Sequence, residues 1–391
     1  MSLPDFDNTE IAFKWASATQ LRRSYWLFKL ISFGWLVTLG ARFLRFAIWL
    51  KLPVEPIMRK TVFAQFCGGE TISECGETID RLAQHGIGTI LDFAMEGVGS
   101  EKLFEQTTNE IIATVELAAR SSHVPFAVFK LTGIGDFDVL EALTGDEKLT
   151  ESQQASWERI RERVQRICQV ATERKVSVLI DAEETWIQGA IDQLAEEMMA
   201  LHNRERAVVY NTVQLYLRDR LDYLQSTYER AKAQGYQLGF KLVRGAYMEK
   251  ERARATAYGL ESPVVANKNE ADLSFDKGLT YCLERLEHVS ICAGTHNEGS
   301  TLLLVEWMNR HGIRRQDTRI YFAQLLGMSD HITYNLAEEG YNVAKYVPYG
   351  PVKALTPYLL RRAQENSSVT GQSSRELRLL SEERKRRNRL S

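Results

Sequence analysis

From Gly86 onward the sequence repeats one alternation: a short β-branched run ending in polar or glycine residues, then a longer stretch with helical periodicity. The runs are Gly88–Asp92, Phe126–Lys130, Val176–Asp181, Ala207–Tyr210, Gly239–Val243, Val289–Ala293, Arg319–Phe322 and Asn342–Tyr346. Strands that alternate with helices in this number are what a closed (β/α)8 barrel requires, because each parallel pair needs a crossover connection. The expected fold is therefore α/β, a TIM-like barrel with an N-terminal helical segment. An open doubly wound sheet is the rival, and it usually carries fewer strands. Its fingerprint is also missing: Gly86-Ile-Gly88 lacks a third glycine, and no G-x-x-x-x-G-K-[ST] occurs.

The barrel is expected over 63–369, with a helical segment at 1–62 and a polar, basic tail at 370–391. Residues 21–52 are mainly apolar, punctuated by Lys29, Arg42, Arg45 and Lys51. Their longest uncharged piece, Leu30 to Ala41, falls short of the ~20 apolar residues that cross a bilayer. Two compatible readings stand: a helical pair packed on the barrel, or peripheral membrane contact through Trp26, Trp35 and Trp49 with their flanking cations. In the tail, Arg375–Leu380 suits a short amphipathic turn or two, and Arg384–Arg387 reads as a solvated charge run. A net charge of −2 creates no general pull toward nucleic acid. The five cysteines are odd in number and lack a C-x-x-C pair, so they read as reduced structural thiols. Asp5, Asp7 and Glu10 do not suit a secretory or transit peptide, and a cytoplasmic protein is expected, with any membrane contact at the inner face.

In such a barrel, polar residues just after each strand face the mouth where chemistry occurs. Those positions give Glu96, Lys130, Asp181, Glu183, Glu184, Gln214, Lys241, Arg244, Tyr247, Thr295, His296, Asn297 and Tyr346. Singly, each has a plain structural account as a salt-bridge partner or a hydrogen-bonded imidazole. The carboxylates at 181–184 would need further ligands from other strands to hold a metal, and only His296 is at hand, so no metal is expected. Arg361-Arg362 stands apart. It lies on a helix near the end of the last βα unit, where adjacent guanidiniums make a fork suited to a small carboxylate, exposed helix charge being the plainer alternative.

Six segments in order resemble the proline dehydrogenase family over about Phe63 to Asn366. They are Asp181-Ala-Glu-Glu184, Lys241-Leu-Val-Arg-Gly-Ala-Tyr247, Gly294-Thr-His-Asn297, Gln324-Leu-Leu-Gly-Met328, Lys345-Tyr-Val-Pro-Tyr-Gly350 and Tyr358-Leu-Leu-Arg-Arg-Ala-Gln-Glu-Asn366. The resemblance implies a distorted barrel holding FAD at the strand ends and oxidising L-proline to Δ1-pyrroline-5-carboxylate, with hydride passing from proline C5 to flavin N5. It implies that Arg361, Arg362 and Lys130 grip the substrate carboxylate while Asp181, Tyr247, Leu325 and Tyr346 wall the ring. Glu96 would pair with Arg361 on closure. Gln214, Lys241, Gly245, Thr295, His296, Asn297 and Glu365 match flavin-site positions, and Lys268 a pyrophosphate contact. Lys241 stands where many bacterial members have arginine, and Arg244 where those members commonly have lysine; this order resembles the stand-alone, mitochondrial-type branch. Electrons would pass to a membrane quinone, which gives residues 21–52 a purpose. The acceptor of the amine proton stays open between Asp181 and solvent. Two other chemistries also stay open. One is hydroxyproline dehydrogenation, which Tyr346 would disfavour by crowding a ring hydroxyl; the other is a flavin-free lyase using Lys130 or Lys241 as a Schiff-base amine.

Overall fold

Eight parallel strands close into one barrel in chain order. They are β1 (Gly88–Phe93), β2 (Phe126–Phe129), β3 (Ser177–Ile180), β4 (Val209–Gln214), β5 (Leu238–Val243), β6 (Val289–Gly294), β7 (Ile320–Leu325) and β8 (Val343–Tyr349). The seam forms where β8 pairs β1, from Gly88 opposite Ala344 to Phe93 opposite Tyr349, so no strand edge is left open. The computed structural model describes residues 3–50, 54–94, 99–368 and 372–390, without the side chains of 41, 44–49, 364–368, 372–374 and 390.

The continuous apolar runs follow from burial on both faces of the sheet. Successive residues divide between two apolar layers. Ile90, Phe126, Val128, Leu179, Tyr210, Cys292 and Tyr346 pack together inside the barrel. Their neighbours Leu91, Ala127, Val178, Val209 and Val347 pack outward against helix residues such as Ile111, Val115, Ile160 and Leu194. β4 starts at Val209, two residues later than expected, and runs on to Gln214. β7 and β8 likewise continue to Leu325 and Tyr349. Asn211, Thr212, Gln214, Gln324 and Pro348 interrupt the apolar runs, yet all keep their place in the sheet.

A second apolar core lies beside the barrel. Leu21, Phe28 and Ile31 of the helix Ala18–Ile31 meet Leu355 and Leu359 of the last barrel helix, Val352–Ser368, and Leu379 and Leu380 of the helix Gln372–Leu390. The tail is therefore a docked helix rather than a solvated end. Arg387 donates to the carbonyls of Ala16 at 2.6 Å and Phe13 at 2.8 Å, and Arg384 lies 4.2 Å over the Tyr25 ring. Glu383, fully buried, accepts from Arg386 and Arg387. These charges look solvated in sequence because their partners lie at the opposite end of the chain. The N-terminal helices also present exposed apolar side chains, with Trp35 66%, Leu39 57% and Phe43 63% exposed. Among the described residues no helix is long and apolar enough to cross a membrane. The side chains of Trp49 and Arg45, and Lys51 altogether, fall outside the description. All five cysteines are buried thiols.

Candidate active site

Asp181, just past β3, is the hub of the barrel mouth, and four side chains from other strands converge on it. Lys241 of β5 contacts Oδ1 at 2.5 Å, and the Tyr346 hydroxyl of β8 donates to Oδ2 at 2.6 Å. Thr212 of β4 donates to Oδ1 at 3.3 Å, and the Lys130 ammonium after β2 stands 3.9 Å from Oδ2. The Lys241 ammonium also lies 4.5 Å over the Tyr346 ring, a cation–π contact. Burial pushes the Asp181 carboxyl up, but the Lys241 and Lys130 ammoniums and the hydrogen bonds outweigh it and hold the carboxyl below its usual range. Tyr346 moves the other way: burial and then the Asp181 and Asp92 carboxylates push its phenol well above the ordinary value. The hub is an ionised carboxylate bound by a protonated phenol.

Lys130 reaches a second carboxylate, Asp92 of β1, at 3.2 Å. Asp92 is the site residue that sequence reasoning passed over. Its signal was present, since it closes the first apolar run at the same kind of strand end that singled out Asp181. Leu325 ends β7 and packs against the barrel-interior cluster. Tyr247 caps the helix Met248–Tyr258, largely buried, with the Lys250 ammonium 5.4 Å over its ring.

The expected flavin positions gather at the ends of β4 to β6. Gln214 donates to the Glu183 carbonyl at 2.7 Å, and Glu183 accepts from the Thr132 backbone at 3.1 Å and from its hydroxyl at 2.5 Å. The Asp-Ala-Glu-Glu segment thus ties three strand ends together. Gly245 has φ +147°, and a Cβ there would sit 1.8 Å from the Tyr216 ring, so only glycine fits. Arg244 joins Asp272 at 2.6 Å, Thr295 at 2.6 Å and Ser300 at 3.0 Å. Lys268 sits at the rim, 2.5 Å from the other oxygen of Asp272. Asn297 caps the helix Glu298–Arg310 by accepting from the Ser300 amide at 3.1 Å. His296 approaches the Ser329 hydroxyl at 2.9 Å through Nδ1. Burial first, then the neighbouring Lys345, Arg362 and Arg244 charges, push its imidazole well below the usual value, so it is neutral.

Arg362, on the last barrel helix, is 7% exposed and lies 5.2 Å over the Tyr358 ring. Arg361 beside it is half-buried. Glu96, and the side chain of Glu365, lie outside the described residues. Lys345, fully buried in β8, holds the loop after β7 through the Met328 carbonyl at 2.6 Å and Asp330 at 2.8 Å.

The model of one family, proline dehydrogenase, matches residues 75–375. The carbapenem antibiotics biosynthesis protein CarD of Pectobacterium carotovorum is 37% identical across 82% of this chain and 83% of its own. The mitochondrial proline dehydrogenase 1 of Dictyostelium discoideum is 30% identical across 95% of this chain and 73% of its own, and the hydroxyproline dehydrogenase of Xenopus laevis 31% across 96% and 88%. Among solved structures, proline utilization A of Bdellovibrio bacteriovorus, inactivated by N-propargylglycine, superposes with a TM-score of 0.71 at 21% identity. That alignment covers 79% of this chain but 33% of the larger protein, and at such identity it speaks for the fold. With the match over residues 75–375 and relatives aligned along most of their own length, the chain belongs to the proline dehydrogenase family.

Proposed function

We propose that this chain oxidises L-proline to Δ1-pyrroline-5-carboxylate with FAD as cofactor and passes the electrons to a membrane quinone. The observation that carries this reading is the convergence, on the motif residue Asp181, of Lys241 and Tyr346 from two other motif segments and of Lys130 after β2, residues far apart in sequence.

The donor set suits a flavin. Gln214, Lys241, Gly245, Lys268, Thr295, His296, Asn297 and Glu365 are the residues we assign to holding it. Gly245 supports this directly, because its backbone passes so close to Tyr216 that the strand end carries no side chain there. Bound there, FAD would supply the hydride acceptor at N5 for the hydrogen on proline C5.

We assign carboxylate capture to Arg361 and Arg362, with Lys130 as third cation. Lys130 also meets Asp92 and Asp181, while two adjacent guanidiniums offer a carboxylate a bidentate fork that a single ammonium lacks. Holding the carboxylate at a point remote from the reacting carbon orients the ring to within about 3–3.5 Å of its target. Tyr247, Leu325 and Tyr346 wall the ring. Asp181 fixes Tyr346 and Lys241 in place, and its depressed pKa makes it a weak proton acceptor, which favours solvent for the amine proton. The Tyr346 hydroxyl is anchored on Asp181, leaving it little freedom to make room for a ring hydroxyl, so proline is the favoured substrate over 4-hydroxyproline. The exposed Trp35, Leu39 and Phe43 face supports peripheral contact with the membrane that contains the quinone.

An absorption spectrum before and after anaerobic L-proline tests the core of this proposal. A flavin band that bleaches with proline supports it, and the ratio of kcat/KM for proline and trans-4-hydroxyproline ranks the two substrates. A colourless protein that stays colourless after FAD is added, and that borohydride traps on substrate, would replace it with the Schiff-base reading of Lys130 or Lys241.

A further inference from the structure

Two consecutive residues of the C-terminal helix grip the loops on either side of His296. Arg375 makes a two-pronged bridge to Glu298, at 2.7 Å and 3.1 Å, and also reaches Asp7 at 2.6 Å. Glu298 begins the helix that follows the Thr-His-Asn segment, and His331 approaches it from the other side at 3.0 Å. Glu376, nearly fully buried, accepts a hydrogen bond from the Ser329 backbone N–H. Ser329 is itself fully buried, with φ +51° and ψ +43°, a left-handed conformation that non-glycine residues seldom adopt. From that conformation its hydroxyl meets His296 Nδ1. Lys345 fixes the residues on both sides of it, Met328 and Asp330. The family match ends at residue 375, so Glu376 lies just beyond it.

We propose that Glu376 is a positioning residue for the cofactor: by holding Ser329 in its left-handed conformation it fixes the orientation and tautomer of His296. This rests on the reading of His296 as a flavin-site residue. A neutral imidazole has one donor and one acceptor nitrogen. When the Ser329 hydroxyl donates to Nδ1, the proton resides on Nε2, which is then the ring's donor nitrogen and would serve as the donor toward a bound flavin. Without Glu376 the Ser329 amide loses its buried acceptor, the backbone relaxes from the left-handed region, and the hydroxyl no longer dictates the tautomer.

The test compares FAD dissociation constants, from fluorescence titration of flavin-free protein, for the wild type, Ser329→Ala, Glu376→Ala and the double variant. We expect each single variant to bind FAD at least tenfold more weakly, and the double to be no weaker than the weaker single within about threefold, because both changes break one chain of contacts. Affinity within twofold of wild type in a folded Glu376→Ala protein overturns the proposal, as does full additivity in the double. If Glu376→Ala fails to fold by circular dichroism, Glu376→Asp, which withdraws the carboxylate by one methylene, takes its place under the same criteria. A wild-type protein that takes up no FAD sinks the flavin reading and not the latch. The latch is then decided by nitrogen NMR of His296: a single Nε2-protonated tautomer in the wild type that becomes mixed in the variant supports it, and an unchanged tautomer refutes it.

Discussion

Replacing Asp181 by asparagine probes the hub of the mouth. The carboxylate is 7% exposed and 2.5 Å from the Lys241 ammonium, itself 8% exposed. Two unit charges at that distance attract by about 7 kcal/mol at an effective dielectric of ~20, before desolvation is subtracted. Removing one member of such a buried pair typically costs about 3–5 kcal/mol, because the other charge stays behind uncompensated. Only Lys241 is stranded here, since Lys130 keeps Asp92 at 3.2 Å, so the expected loss lies at the lower end, about 3 kcal/mol. Lys241→Met should cost less, because Asp181 keeps the Tyr346 and Thr212 hydrogen bonds and Lys130 nearby. The double variant removes the stranded charge and should be no less stable than Asp181→Asn alone. Urea denaturation of all four proteins, followed by tryptophan fluorescence and circular dichroism, gives the cycle. A loss below about 1 kcal/mol for Asp181→Asn, or simple additivity in the double, would refute the ion-pair account. The pH dependence supplies a second check. The folded-state pKa of Asp181 lies below the unfolded value of about 3.9, so the ionised form favours folding. This contribution is complete above about pH 4 and disappears as the pH falls through the folded-state value, a loss that Asp181→Asn should not show.

Gly245→Ala should destabilise the fold by more than about 2 kcal/mol and prevent flavin uptake, given its positive φ and the Tyr216 ring behind it; a variant as stable as wild type in urea would contradict this. Glu298 is held at about 2: burial pushes it up, but hydrogen bonds from His331 and Arg375 more than offset that. The stability it contributes should be present above its unfolded value of about 4.3 and fade as the pH falls toward 2, and Arg375→Ala should shrink that acid-sensitive part while speeding amide exchange in the C-terminal helix. Substituting Trp35, Leu39 and Phe43 together by glutamate should leave stability unchanged, as these side chains are mostly exposed, but should reduce binding to anionic liposomes at least fivefold in a sedimentation assay; equal binding would remove membrane contact from the proposal.

The barrel was legible because strands buried on both faces must be written as apolar, β-branched runs. Strand ends were less so. Asn211, Thr212 and Gln214 break the apolar pattern of β4 while remaining paired in the sheet, since those positions trade apolar packing for hydrogen bonds, Asn211 to Asp192 and Tyr223 of the surrounding helices, Thr212 and Gln214 at the mouth. Lys130, Asp181, Lys241 and Tyr346 were each visible as polar residues on or after strands, but their meeting at a single carboxylate depends on barrel closure. Asp92 shared their signal and was overlooked as a strand terminus. Glu376 gave no signal at all: it sits in a charged stretch, and its partner Ser329 lies 47 residues earlier in the chain.

The docking of the C-terminal helix against the N-terminal helices has a consequence for synthesis. Arg387 and its acceptor at Ala16 are 371 residues apart, so at about 5–20 residues per second the ribosome delivers one roughly 20–75 s after the other. Through that interval Leu21, Phe28 and Ile31 have no Leu379 or Leu380 to cover them. Leu355 and Leu359 reach that surface sooner, but its cover is complete only once the helix Gln372–Leu390 has emerged, so substitutions in that helix should lengthen the time this apolar face stays open to association.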